Sequence, residues 1–210
     1  MEMGSELEVI ESSLSGKVAA VFHALEIPES CRQFLLDPLG VPEAVWSSCI
    51  FSLRERKKDE ERVLSGIVER FRVLGIIYLS PSLAEIEREK LEEVKLLGEP
   101  EKVFCRSCGR DFERSAAQKE CPSCNGILLP AVEPLRKQIS RKIDRALRLS
   151  MISDVLLVLG RADELSPGAM IPWTAKVFGG RELVVVSDRR SSLSQIADVF
   201  IEGDPMKIFP

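Results

Sequence analysis

Apolar residues recur at helical spacing through the first third of the chain. The segments 18–25 (VAAVFHAL), 30–36 (SCRQFLL), 42–56 (PEAVWSSCIFSLRER) and 59–74 (DEERVLSGIVERFRVL) each read as a helix. Pro28, the Pro38-Leu39-Gly40 turn and Pro42 punctuate them. Residues 74–80 (LGIIYLS) are short, β-branched and stopped by Pro81, which is the pattern of a buried strand. A charged helix is expected over 81–98, ending at Gly98. Residues 6–14 fit either a short strand or a helix, and the completeness of the first half of the fold turns on which.

The last third has a different rhythm. Residues 134–150 read as a helix with Leu135, Ile139, Ile143 and Leu147 on its buried face. Arg136, Lys137, Arg141, Lys142, Arg145 and Arg148 surround the other side against one acid, Asp144. This is either a solvated face or a patch for nucleic acid. Beyond it, 154–160 (DVLLVLG) and 181–188 (RELVVVSD) are apolar strands joined through a Pro- and Gly-bearing loop (161–172) and a short helix (173–179). A further helix and an edge strand occupy 192–205. Strand, helix, strand at this pitch implies a parallel, doubly wound α/β sheet. Ligands of such sheets bind outside the carboxyl ends of the strands, here near Gly160, Ser187 and Asp188. Asp188 has an alternative role as the N-cap of the helix that follows.

Composition narrows the classes. The chain has 210 residues, 45% hydrophobic and 30% charged, and a net charge of −4. That balance describes a globular protein and opposes bulk binding to nucleic acid or membrane. No apolar run approaches the ~20 residues of a membrane helix, and the acidic start MEMGSELEVIE does not resemble a signal peptide, so a cytoplasmic location is expected. Asn occurs once and Gln four times, a depletion of thermolabile amides that points to a thermophile.

The candidate chemistry lies in residues 105–126 (CRSCGRDFERSAAQKECPSCNG). Two C-x-x-C pairs at this separation fit one tetrahedral zinc ion held by Cys105, Cys108, Cys121 and Cys124, with a redox dithiol or disulfides as the alternatives. Gly109, Asn125 and Gly126 follow the second cysteine of each pair, where a positive φ is convenient. Four thiolates leave no open position, so the site is structural and not hydrolytic. Around it Lys102, Arg106, Arg110, Arg114 and Lys119 are matched by Glu99, Glu101, Asp111, Glu113 and Glu120, and only Phe104 and Phe112 offer aromatic surface. That is thin for base stacking. Cys31 and Cys49 sit in apolar stretches and read as core residues.

From Cys121 to Pro210 the chain resembles the C-terminal half of the sirtuins, zinc-containing NAD-dependent protein deacylases. CPSCNGILLP stands where that family has C-P-x-C-G-G-x-L-R-P, and ISDVLLVLGRADELSPGAMIP, ELVVVSD and IADVFIEGDPMKIFP match its later strands and closing phrase. Upstream, FLLDPLGVPEAVW and VFCRSCGRDFE are similar to its small-domain phrase and first zinc knuckle. The resemblance implies a Rossmann-like parallel sheet interrupted by a four-cysteine zinc ribbon, with a helix-rich N-terminal part. It implies divisions at 1–98 (helix-rich, one buried strand near 74–80), 99–130 (ribbon) and 131–210 (the second half of the Rossmann-like domain). It also implies that the zinc holds one wall of the cleft and takes no part in the reaction.

The departures concern chemistry. The family's G-A-G-I-S loop, which lets NAD phosphates approach, corresponds to a trace within 15–32, with Val18 in place of its second glycine. SPSLAEIE replaces its Q-N-I-D stretch, Leu97-Gly98 replaces the H-G pair of the general base, and Gly160-Arg161-Ala162 replaces G-T-S. The one histidine, His23, lies ~75 residues before the required position and reads as a core residue on an apolar helical face. Leucine cannot accept a proton, so a base would have to come from a carboxylate such as Glu93 or Glu99. The expected function is a structural or regulatory interaction module that has lost deacylase activity, with a protein partner met through the cleft or the zinc wall. The alternatives are a divergent NAD-dependent deacylase or ADP-ribosyl transferase, and a zinc-ribbon protein that binds nucleic acid through the basic helix.

Overall fold

The computed structural model describes residues 3–115, 120–136, 139–162, 168 and 170–209. Six parallel strands form one sheet: β1 (Val18–Ala24), β2 (Arg72–Tyr78), β3 (Glu92–Lys95), β7 (Val155–Gly160), β8 (Glu182–Ser187) and β9 (Val199–Glu202), in the order β3-β2-β1-β7-β8-β9. This is the doubly wound dinucleotide-fold order, with its topological switch between β1 and β7. A three-stranded antiparallel sheet, β4 (Gly98–Cys105), β5 (Asp111–Glu113) and β6 (Leu128–Val132), is inserted between the two halves. The α/β plan expected from the sequence is therefore the observed one.

Two corrections apply to the N-terminal part, which carries three strands of the large sheet and not one. Residues 18–24 form central strand β1, not a helix. A strand buried on both faces reads as a continuous apolar run, so no alternation distinguished it from a buried helix. Ala19 and Val21 enter one core, Ala20, Phe22 and Ala24 the other. Within 81–98 there is no helix either: an irregular segment, with Lys90 at a positive φ of 66°, leads to edge strand β3. Good helix formers are overruled there by backbone pairing of β3 with β2. Residues 6–14 belong to helix α1 (Met3–Leu14), so the first strand is β1.

Helix α2 (Glu29–Leu36) precedes α3 (Glu43–Arg70), one continuous helix of 28 residues where the sequence suggested two. Its charged middle stays helical with i,i+4 pairs Arg56–Glu60 and Lys57–Glu61. Cys31 and Cys49 are buried as expected, but they are joined in a disulfide that fastens α2 to α3, with Cα atoms 4.5 Å apart. The basic segment divides into α4 (Glu133–Arg136) and α5 (Ile139–Ile152). Helices α5, α6 (Met170–Val177) and α7 (Ser192–Ile196) bury one face of the sheet. Helices α1, α3 and α8 (Pro205–Ile208) bury the other. Arg62 of α3 secures the C-terminal turn by donating to the carbonyls of Phe209 (3.0 Å) and Met206 (3.2 Å).

Candidate zinc cluster and the switch-point cleft

The four ribbon cysteines converge on one point, their Sγ atoms all within 4.8 Å of one another. Cys105–Cys124 and Cys108–Cys121 Sγ separations are 3.5 and 3.7 Å. A tetrahedral ion with ~2.3 Å metal–sulfur bonds has edges of ~3.8 Å, so the donor set fits zinc. The two knuckles repeat one geometry. The Gly109 amide donates to the Cys105 carbonyl (2.9 Å) and the Asn125 amide to the Cys121 carbonyl (2.8 Å). Both Gly109 (φ 73°) and Asn125 (φ 56°) take the left-handed conformation expected of them. Gly126 is small for another reason: a Cβ there would lie 2.6 Å from Ser107 Oγ and 3.0 Å from Cys105 Sγ. The Cys108 amide, with that of Ser107, holds the Cys105 thiol down at about 6, toward the thiolate a metal requires.

The ribbon is fastened to the helices by aromatic contacts. Trp46 stacks on Phe34 (5.3 Å) and donates its indole N–H to the Pro100 carbonyl (2.7 Å), while Arg114 lies over Trp46 (4.4 Å). Arg136 joins in, pairing with Asp111 (2.5 Å) and covering Phe104 (5.1 Å). Of the other basic residues, Lys142 pairs with Glu133 (2.5 Å) and Arg145 with Glu92 (3.0 Å). Arg141 and Arg148 are exposed, and Lys137 lies outside the described residues, as does Lys119.

At the switch point a cleft of 450 Å³ opens over the carboxyl ends of β1, β7 and β8. Gly160 and Asp188 line it, and Ser187 lies buried beside it, its Oγ without a hydrogen-bond partner among the described residues. Gly160 (φ 98°) is required by the close approach of β1, because a Cβ would stand 2.3 Å from the Ala24 carbonyl oxygen. Asp188 is not a helix cap; Ser191 caps α7, in a capping box with Ser194. Asp188 faces Arg161 instead (3.6 Å), and Arg161 also reaches Glu26 (3.4 Å). The guanidinium thus spans the cleft between the β1 and β8 sides.

Behind the cleft is a buried polar cluster that the sequence reading missed. His23, at the end of β1 and not on a helix, faces Ser80 through Nδ1 (3.2 Å) and Glu60 through Nε2 (3.5 Å). Ser82 donates to Glu60 (2.5 Å), and Arg56 pairs with its other oxygen (3.1 Å). Burial pushes the Glu60 carboxyl up, but the His23 and Ser82 bonds and the Arg56 charge outweigh it, and the net shift is downward. One signal was present: Glu60 falls on the apolar stripe of α3, seven residues after Leu53 and three before Val63, both buried. The suggested substitute bases are otherwise engaged. Glu93 accepts from the Tyr78 hydroxyl (2.9 Å), and Glu99 is held by Lys102 (2.8 Å).

No protein-family model matches the chain. An NAD-dependent protein deacylase of Thermococcus kodakarensis is 29% identical over 85% of this chain and 78% of its own length. A deacylase of Pyrobaculum aerophilum is 35% identical, over 56% of this chain and 49% of its own. Among solved structures, a Sir2 homologue in complex with NAD superimposes with a TM-score of 0.71 at 20% identity, across 96% of this chain and 90% of that one. The chain is thus similar in sequence to NAD-dependent protein deacylases and has the Sir2 fold.

Against the sirtuin pattern, the structure relocates one departure. Val18 lies at the amino end of β1, opposite the cleft, so it is not the lost glycine. The connector at the cleft end carries no glycine: β1 ends at Ala24, and Leu25-Glu26-Ile27-Pro28 runs directly into α2. Leu97-Gly98 remains as a backbone feature. Gly98 (φ 92°) is needed because a Cβ would meet the Ala131 carbonyl oxygen at 2.4 Å, and the Leu97 carbonyl accepts from the Glu133 amide (3.2 Å).

Two outcomes follow. Metal analysis of the purified protein is expected to give one zinc per chain, and Cys105→Ser or Cys121→Ser to lose it and to unfold the ribbon by hydrogen exchange. Because folding lowers the Glu60 pKa, its stabilisation is fully present above the ordinary 4.5 and is lost as pH falls through the folded value. Chemical unfolding of Glu60→Gln is therefore expected to show lower stability at neutral pH, by about 2–4 kcal/mol, with a flatter decline below pH ~4.5 than the parent.

Proposed function

We propose that this sirtuin-fold chain has lost NAD-dependent deacylation and serves as a zinc-stabilised interaction module. One observation carries the reading: the carboxyl end of β1, where a pyrophosphate would meet glycine amides, is a four-residue connector, and Arg161 bridges Glu26 and Asp188 across the space beside it. A dinucleotide has no cradle of backbone N–H groups there and would have to displace two ion pairs. Leu97 supplies no base, and the one histidine is committed to Glu60 and Ser80.

The residues fit a zinc ion at Cys105, Cys108, Cys121 and Cys124, which would supply structural cohesion to the ribbon. Trp46 and Arg114 keep the ribbon against α3, as one wall available to a protein partner. We read the protein as cytoplasmic and thermophilic. The nucleic-acid reading is weaker, since Arg136, Lys142 and Arg145 are already neutralised by Asp111, Glu133 and Glu92.

The reading is tested with an acylated lysine peptide and NAD, following nicotinamide release. The zinc-loaded protein is expected to release none above background, and Leu97→His alone is expected to restore none, because the phosphate cradle is still missing. Turnover by the parent chain would overturn the proposal.

A further inference from the structure

Helix α6 carries an exposed apolar stripe with no cover among the described residues. Met170, Trp173, Val177 and the adjoining Phe178 recur at i, i+3, i+7 and i+8 and are 64%, 40%, 49% and 73% exposed. Ile171, Pro172 and Ala175, on the opposite side, are buried against the sheet. Trp173 and Phe178 meet edge to face at 5.7 Å, so the stripe is continuous. Met151 at the end of α5 packs close to Gly179, where a Cβ would stand 2.7 Å from its sulfur. Ile152, the last residue of α5, is 62% exposed.

At ~150–250 Å² for each large side chain, these exposed fractions amount to roughly 500 Å² of apolar surface. A patch of this size matches the largest apolar patch of a typical monomer, which is often functional. The same area is well over half of the ~800 Å² that each partner contributes to a standard interface, so a polar rim completes it. The rim is present and carries both signs. Arg148 is exposed on the α5 flank, and Asp198 lies on the α7 flank, where Lys176 holds it at 2.6 Å.

We propose that the α6 stripe is the interface of a two-fold homodimer, α6 packing against α6 of a second copy. The centre of the patch carries no charge, so two copies of a chain with net charge −4 meet there without like charges opposed. A two-fold axis along the stripe sets the α5 flank of one copy, with the exposed Arg148, over the α7 flank of the other, where Lys176 and Asp198 already balance each other. Association buries Trp173 and Phe178 at the middle, where aromatic anchors contribute most. The interface lies on the α5–α6–α7 side of the sheet, so it is independent of whether the cleft binds a nucleotide.

Sedimentation velocity of the zinc-loaded full chain from about 1 to 100 µM tests this directly. The expected result is a species of twice the 23.4 kDa chain mass within that range. Phe178→Asp and, separately, Met170→Asp are expected to raise the dissociation constant at least 100-fold, while Leu36→Asp, at an exposed residue of α2, leaves it unchanged. Circular dichroism establishes that each variant is folded, and the second stripe variant decides the matter where the first is not. A parent chain that stays monomeric at 100 µM, or folded stripe variants that dimerise like the parent, would overturn the proposal.

Discussion

A carboxylate held almost wholly out of water, Glu60, organises the head of the cleft. An isolated buried charge is prohibitively costly, so its surroundings must supply hydrogen bonds and countercharge. They come from three elements: His23 of β1, Ser82 from the segment after β2, and Arg56 one turn earlier on α3. The network therefore fixes the register of α3 against the sheet. It also continues outward, because Arg56 donates to the Glu26 carbonyl (2.6 Å) and the Glu26 carboxylate faces Arg161, which faces Asp188. A line of polar contacts runs from the core to the mouth of the cleft. The same contacts line the switch-point cleft at the carboxyl ends of β1, β7 and β8.

The parts that remain from that pattern are the ones with a backbone reason to remain. Gly160 and Gly98 stay because strands approach too closely for a Cβ. The ribbon keeps its cysteines and left-handed turns because four thiolates must reach one point. The groups whose only role in the pattern is to meet cofactor or substrate, the glycine loop, the histidine and the hydroxyls of G-T-S, are the ones replaced. Function follows the site and not the fold.

The sequence was most legible where periodicity and spacing carry information locally. Strands β7 and β8, the ribbon and the switch-point residues Gly160 and Asp188 were all in reach, because turn chemistry and C-x-x-C spacing are short-range. Strand β1 was not, since VAAVFHA is apolar at every position but one and its direction is set by neighbours far along the chain. Nor was β3, whose glutamates and lysine favour a helix until β2 offers a partner. The Glu60 cluster is assembled from residues up to 59 positions apart, His23 and Ser82, and only its one misplaced charge on an apolar stripe was visible. The Cys31–Cys49 bond depends on how α2 and α3 pack, which composition does not encode.

We propose that the chain's own contacts close the cleft to a dinucleotide. Calorimetric titration of the zinc-loaded protein with NAD and with ADP-ribose, up to millimolar ligand, tests it most directly. No saturable heat is expected from either. Saturable binding in the micromolar range would contradict it, because Arg161, Glu26 and Asp188 would then have to yield their ion pairs to a ligand with no glycine cradle to receive it.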